Sequence, residues 1–172
     1  MSGTTSFDTL EMGACTVSFK GTDLGLTKGG VEVTFGTDIT TTSADQFGDT
    51  AIDDVIKGRS IKVKVPMAER DLTRLASVFP GSTLTGTTSK KLVINAATGQ
   101  SLRALAGPLI LHPKARDAAD KSADVTIPLA MSKGDIQFSF KHDEQRVYSV
   151  EFSGYVDLAT GQLFTLGDPA AA

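Results

Sequence analysis

At 172 residues and a formal net charge of −3, the chain suits one domain with a radius of gyration of about 16 Å. Hydrophobic residues make up 40% of it, too many for a wholly disordered protein, while no apolar run approaches the ~20 residues that cross a bilayer, so membrane insertion is not expected. The mild acidity argues against a protein that grips nucleic acid, because such grip needs clustered Lys and Arg to neutralise phosphates.

Residues 1 to about 12 are small and polar and are expected to form a mobile arm. Their Met-Ser-Gly-Thr-Thr-Ser-Phe-Asp start has neither the basic nor the apolar region of a signal peptide, so synthesis in a cytoplasm is expected. A first strand falls near residues 14–20. Cys15 is alone, which excludes an internal disulfide and reads as a small buried apolar side chain. Gly21-Thr22-Asp23-Leu24-Gly25 and Lys28-Gly29-Gly30 are turns, after which Val31, Val33 and Phe35 alternate with Glu32 and Thr34 as a half-buried strand. Residues 36–57 are rich in Thr, Asp and Gly, with Ile39, Phe47, Ile52, Val55 and Ile56 as sparse apolar anchors. Part extends a strand, and the rest reads as a long loop. Loops of that length are usually functional or tied down by a partner, which makes this one the first candidate for an intermolecular contact.

Residues 58–79 carry two hydrophobic periods back to back. Ile61, Val63 and Val65 alternate with Ser60, Lys62 and Lys64, the pattern of a strand with one face buried, and Pro66 is expected to end the ladder. Apolar residues then fall at Ala68, Leu72, Leu75, Ala76 and Phe79, the stripe of a helix about three turns long, closed by Pro80-Gly81. No other convincing helix is read. A Ser/Thr/Gly connection over residues 81–91 leads to a strand from Leu92, a strongly apolar stretch at 102–111 and a mixed-charge exposed loop at 113–124. Three alternating runs follow: Val125, Ile127, Leu129 and Met131; Ile136, Phe138 and Phe140; Tyr148, Val150, Phe152 and Val156. Lys133-Gly134 and Asp143-Glu144 read as the turns of an antiparallel meander. A short strand at 163–166 precedes a small-residue tail at about 167–172. The expected fold is mainly β, an antiparallel sandwich or barrel with one packed α-helix, in a single domain over residues 1–172.

No constellation for catalysis emerges, and the chain is not expected to be an enzyme. His112 and His142 are the only histidines, and neither has the spacing of a zinc motif. No strained Gly-x-Ser-x-Gly elbow is present, and Cys15 could meet a histidine only by tertiary contact. The aspartates between Asp45 and Asp54 lack the alternate spacing and closing Glu of a calcium loop. No metal and no cofactor is expected. The informative pattern is polar alternation: Glu32 and Thr34, then Asp135, Gln137 and Ser139, then Ser149, Glu151 and Ser153. Such a wet face is either an ordinary solvent face or, if copies join edge to edge, the lining of a channel.

The stretch Gly21-Thr22-Asp23-Leu24-Gly25-Leu26-Thr27-Lys28-Gly29-Gly30-Val31-Glu32-Val33, the acidic run from Asp49 to Asp54, and Lys57-Gly58-Arg59 leading into Ile61, Val63 and Val65 together resemble the major tail (tail tube) proteins of long, non-contractile-tailed bacteriophages. The likeness spans roughly residues 21–79; the later strands fit in order without a specific motif. It implies a tail-tube-like fold and a structural virion protein, made in the host cytoplasm and found in the virion tail. Hexameric rings, each copy giving four strands to an inner barrel, would stack into a tube that conducts DNA. The implied partners are other copies of the chain, the tape measure, tail tip and terminator proteins, and DNA in transient, non-specific passage. Twenty-four strands at about 4.8 Å spacing give a backbone diameter of roughly 37 Å, enough for duplex DNA. On this resemblance Glu32, Asp135 and Glu151 are candidates for the lumen. Asp45, Phe47, Asp49 and Asp53 are candidates for ring stacking, with Phe47 entering an apolar pocket rimmed by Lys or Arg. Lys62 and Lys64 are candidates for pairing with acids of a neighbouring subunit. An acid-biased lumen would let DNA slide without being trapped. The competing class is a virion decoration domain or a β-sandwich binding module. A sugar-binding version is disfavoured by the lack of Trp and by having only two Tyr.

Overall fold

The computed structural model describes residues 13–96 and 98–171. The arm expected at about residues 1–12 lies outside them, as do Ala97 and Ala172. The chain is mainly β, with 45% strand against 6% helix, and its strands pair antiparallel throughout. The described residues form ten strands: β1 (Cys15–Phe19), β2 (Thr22–Asp23), β3 (Glu32–Thr42), β4 (Asp53–Met67), β5 (Ser82–Thr85), β6 (Lys91–Ile94), β7 (Gly107–Pro113), β8 (Val125–Gln137), β9 (Tyr148–Gly154) and β10 (Thr165–Leu166), with the helix α1 (Leu72–Val78) between β4 and β5. The main sheet runs β2-β1-β7-β8-β9-β4-β3, with β10 beside the start of β8, while β5 and β6 form a separate hairpin. Of the three runs expected to form a meander, the first two merge into β8, which ends at Gln137 before Phe138 and Phe140, and the third is β9.

The sheet does not close into a barrel; it curls into a sandwich-like arrangement. β1 and β9 are three strand spacings apart, about 14 Å in a flat sheet. Nevertheless Phe19 of β1 and Phe152 of β9 bring their rings to 5.1 Å between centroids. The curl wraps one apolar face around a core of Val17, Phe19, Ile61, Val63, Val65, Leu109, Ile127, Val150 and Phe152, all essentially solvent-free. Alternation in β4 produces this directly: Ile61, Val63, Val65 and Met67 are buried and Lys62 and Lys64 exposed. α1 closes the core with Leu75 and Val78.

Four local expectations are corrected. The helix is seven residues long rather than three turns, because Asp71 caps it by accepting from the Thr73 amide at 2.9 Å, and Ala68 is held in an extended connection by donating to the Leu26 carbonyl at 2.8 Å. Pro66 does not end the ladder: Pro66 pairs with Ser149 and Met67 with Tyr148. Its carbonyl accepts from the Lys28 amide at 3.0 Å. Since a residue's N–H and C=O point to the same neighbour, the missing N–H falls on that side and the β9 pairing loses nothing. Most of the expected loop at 36–57 is strand, with β3 and β4 paired as far as Thr42 and Asp53 through a bulge at Asp38/Ile39. This leaves residues 43–52 as the tip, with a 3-10 turn at Asp45–Phe47. Finally, Lys133-Gly134 is a bulge inside a continuous 13-residue β8, with Gly134 at φ +85°, and not a turn between strands.

The turn-rich motif that carried the resemblance has a structural task in this fold. Gly25 adopts φ +85°, and a Cβ there would collide with Arg74 and Glu69, whose ion pair lies against the turn. The Leu26 amide donates to Glu69 at 3.4 Å. Together with the Leu26 and Lys28 backbone bonds, this straps the turn across the end of β4 and the approach to α1.

Candidate functional site

Three surfaces carry chemistry. The first is the wet face of β3, β4, β9 and β8. Cross-strand register places Glu32 opposite Lys64 and Lys64 opposite Glu151, and paired residues share a face. Lys64, Lys133, Asp135, Gln137, Ser149 and Glu151 line one shallow cleft there. The fold therefore brings Glu32, Asp135 and Glu151 together, and it puts Lys62 and Lys64 among them. Lys62 and Lys64, the candidates for pairing with a neighbouring subunit, meet acids of their own chain, Lys62 with Glu151 at 3.5 Å and Lys64 with Glu32 at 4.0 Å. Lys133 lies beside Asp135, and the β3 register adds Asp38 to the face of Glu32, so lysines interleave with most of its acids. Period two placed the acids correctly; the lysines were missed as members of the same face because their strand joins β9 only in the tertiary fold.

The second surface is the hairpin that β3 and β4 extend past the core. Val33 is 43% and Phe35 47% exposed, more open than the half-buried strand expected, because β3 is the last strand of the sheet and its apolar side is covered only in part, by the Phe164 ring at 5.2 Å from that of Phe35. Ile39, Val55 and Ile56 are exposed further along. At the tip Phe47 is 66% exposed, so it does not tuck under its own loop. Asp45 and Asp49 flank it with no side-chain partner among the described residues. Asp53 is different: its carboxylate accepts from the Asp54 amide at 2.8 Å.

The third surface was not anticipated. Leu72, Leu75, Phe79, Ile94, Phe138 and Phe140 line a groove of about 500 Å³ whose lining also includes Arg70, Arg146 and Tyr148. The Arg146 guanidinium lies 3.7 Å from the centre of the Phe140 ring and donates to the Tyr148 hydroxyl at 3.4 Å, while its Nε is buried without an acceptor. Neither Arg70 nor Arg146 has a carboxylate partner among the described residues. These side chains come from three separated segments; the one local signal was a pair of phenylalanines two residues apart, which reads equally well as a buried strand.

Elsewhere His112 Nδ1 and Asp124 Oδ1 lie 2.6 Å apart, with Asp124 buried. Thr16 pairs with His112, so Cys15, its neighbour in an alternating strand, projects to the opposite face and cannot reach the imidazole. Burial pushes the Cys15 thiol above its usual pKa, away from thiolate chemistry. Among the described residues no three His, Cys, Asp or Glu side chains gather as metal ligands, and no helix is long and apolar enough to cross a membrane. The chain matches no protein-family model and no curated protein sequence.

Proposed function

We propose that the chain is a structural virion protein whose copies join into hexameric rings that stack as a phage tail tube, a conduit for DNA during ejection. The observation that carries this reading is a pair of open sheet edges. β3 is 11 residues long and, among the described residues, pairs only with β4. At the far side of the same four strands, β7 accompanies β8 only as far as Ala130, leaving the second half of β8 paired on its β9 side alone. A long edge with exposed apolar side chains is an aggregation hazard unless another chain covers it. Joining β3 of one copy to β8 of the next covers both edges and makes β8-β9-β4-β3 a repeating four-strand unit with its wet face on one side. The joint is head-to-tail, the kind that closes into a ring.

Such a lining, with most of its carboxylates offset by lysines, offers phosphates neither a strong hold nor a high barrier, which suits passage. The role requires no enzyme activity and no cofactor. Besides its own copies, the tube would meet the tape measure, tail tip and terminator proteins. The test is negative-stain electron microscopy of the purified protein at high concentration, with its mass by light scattering. Rings or hollow tubes with a bore that admits duplex DNA are expected; a monomer at every concentration, including with tail-assembly partners added, would instead favour a decoration or binding module.

A further inference from the structure

The hairpin tip and the arginine-lined groove lie at opposite ends of one strand. β4 begins with Asp53, directly after the tip, and ends with Met67, three residues before Arg70. Its 15 residues span about 50 Å, so the tip cannot reach the groove of its own chain. The two surfaces are nonetheless complementary. One presents an exposed aromatic ring between two unpaired carboxylates, Asp45 and Asp49; the other presents an apolar groove with two arginines that lack carboxylate partners. The groove volume of about 500 Å³ falls in the range that holds a small ligand or a side chain with its neighbours. The Arg146 guanidinium lines the groove with only the Phe140 ring and the Tyr148 hydroxyl as partners among the described residues, so it keeps N–H donors that a carboxylate would satisfy.

We infer that the tip of one copy docks in the groove of the next, an assignment that rests on the proposed self-stacking for the identity of the partner. Phe47 enters between Leu72 and the Phe138 and Phe140 rings, and Asp45 and Asp49 meet Arg70 and Arg146. Because donor and acceptor surfaces lie at the two ends of β4, each docking leaves another tip and another groove free. The contact therefore propagates along the strand direction as an open array. The sheet-edge joint acts sideways and the tip-to-groove joint acts lengthwise, so they are separable.

The chain contains no Trp, so Phe47→Trp installs a sole indole at the tip. Its emission is expected to shift to the blue as protein concentration rises. Adding R70E/R146E to the same chain should raise the concentration required by about tenfold or more, since reversed charges at a desolvated contact are strongly unfavourable. A chain carrying D45R/D49R with Phe47→Trp should likewise fail alone, and should recover its blue shift when mixed with R70E/R146E protein. Circular dichroism melts confirm that each variant is folded. An indole that keeps its water-exposed emission at every concentration, or a folded R70E/R146E variant that associates like its parent, overturns the docking. If the emission shifts and no ring or tube is seen, the docking stands and the tube reading falls. If tubes form with the indole exposed, the reverse holds.

Discussion

Gly154 lies on the core side of β9, where a Cβ would come within 2.4 Å of Ile61 Cγ2 and 3.2 Å of Ile127 Cγ2. Both isoleucines are buried on elements that cannot easily retreat, so G154A is expected to cost about 1–3 kcal/mol by overpacking. Urea denaturation reads this directly, and a variant as stable as the parent would mean that the sheet yields there. Asp71 illustrates a polar counterpart. Its carboxyl is held below the usual value of 3.8, first by the Thr73 amide and also by Lys90 and Arg74. A lowered folded-state pKa gives stability that is present above the unfolded value and lost as pH falls through the folded one. D71A should therefore cost about 1 kcal/mol near neutral pH, and the gap between variant and parent should narrow as the pH drops below about 4. D71S should restore most of the loss, since serine also caps. Neither residue was marked in the sequence: a glycine at a strand end and an aspartate before a helix become consequential only through what they touch.

Among the elements, β3 and β4 departed furthest from the local pattern. Alternation identified the buried half of β4 because the core imposes period two there. On the hairpin side of Ser60 nothing is buried, so the sequence is free to be Thr- and Asp-rich while backbone hydrogen bonds maintain the ladder to Thr42 and Asp53, helped by the Thr41 hydroxyl donating to Asp54 at 2.6 Å and that of Thr42 to the Asp53 carbonyl at 3.0 Å. Hydrophobic periodicity has no signal to offer for strands of that kind. The helix was lengthened for the opposite reason: Ala68 fits the stripe, but a strap from Leu26 holds it outside. The hairpin tip can be tested as a unit. Thr42 and Asp53 are cross-strand partners, so residues 43–52 can be replaced by Asn-Gly, a two-residue turn that closes such a pair. The shortened chain should melt at the parental temperature, form rings and fail to stack; normal tubes from it would remove the tip from the stacking contact.

For the whole molecule, composition and alternation determined a mainly β antiparallel fold with one helix on its core. They also determined that Glu32, Asp135 and Glu151 would face the same way as other polar residues. Both follow from physics that acts within a few residues of the chain: burial of alternate side chains, turn residues with their own backbone preferences, and one amphipathic stripe. Tertiary structure alone decided the rest. Only the pairing of β4 with β9 set Lys62 against Glu151 and interleaved lysines with the acids of the wet face. Only the curl of the sheet brought Phe19 onto Phe152. Only the meeting of α1, β6 and the segment after β8 assembled a groove around Arg146. These features depend on which distant segments become neighbours, and neighbourhood across a hundred residues is set by the summed packing of the core rather than by any local sequence pattern.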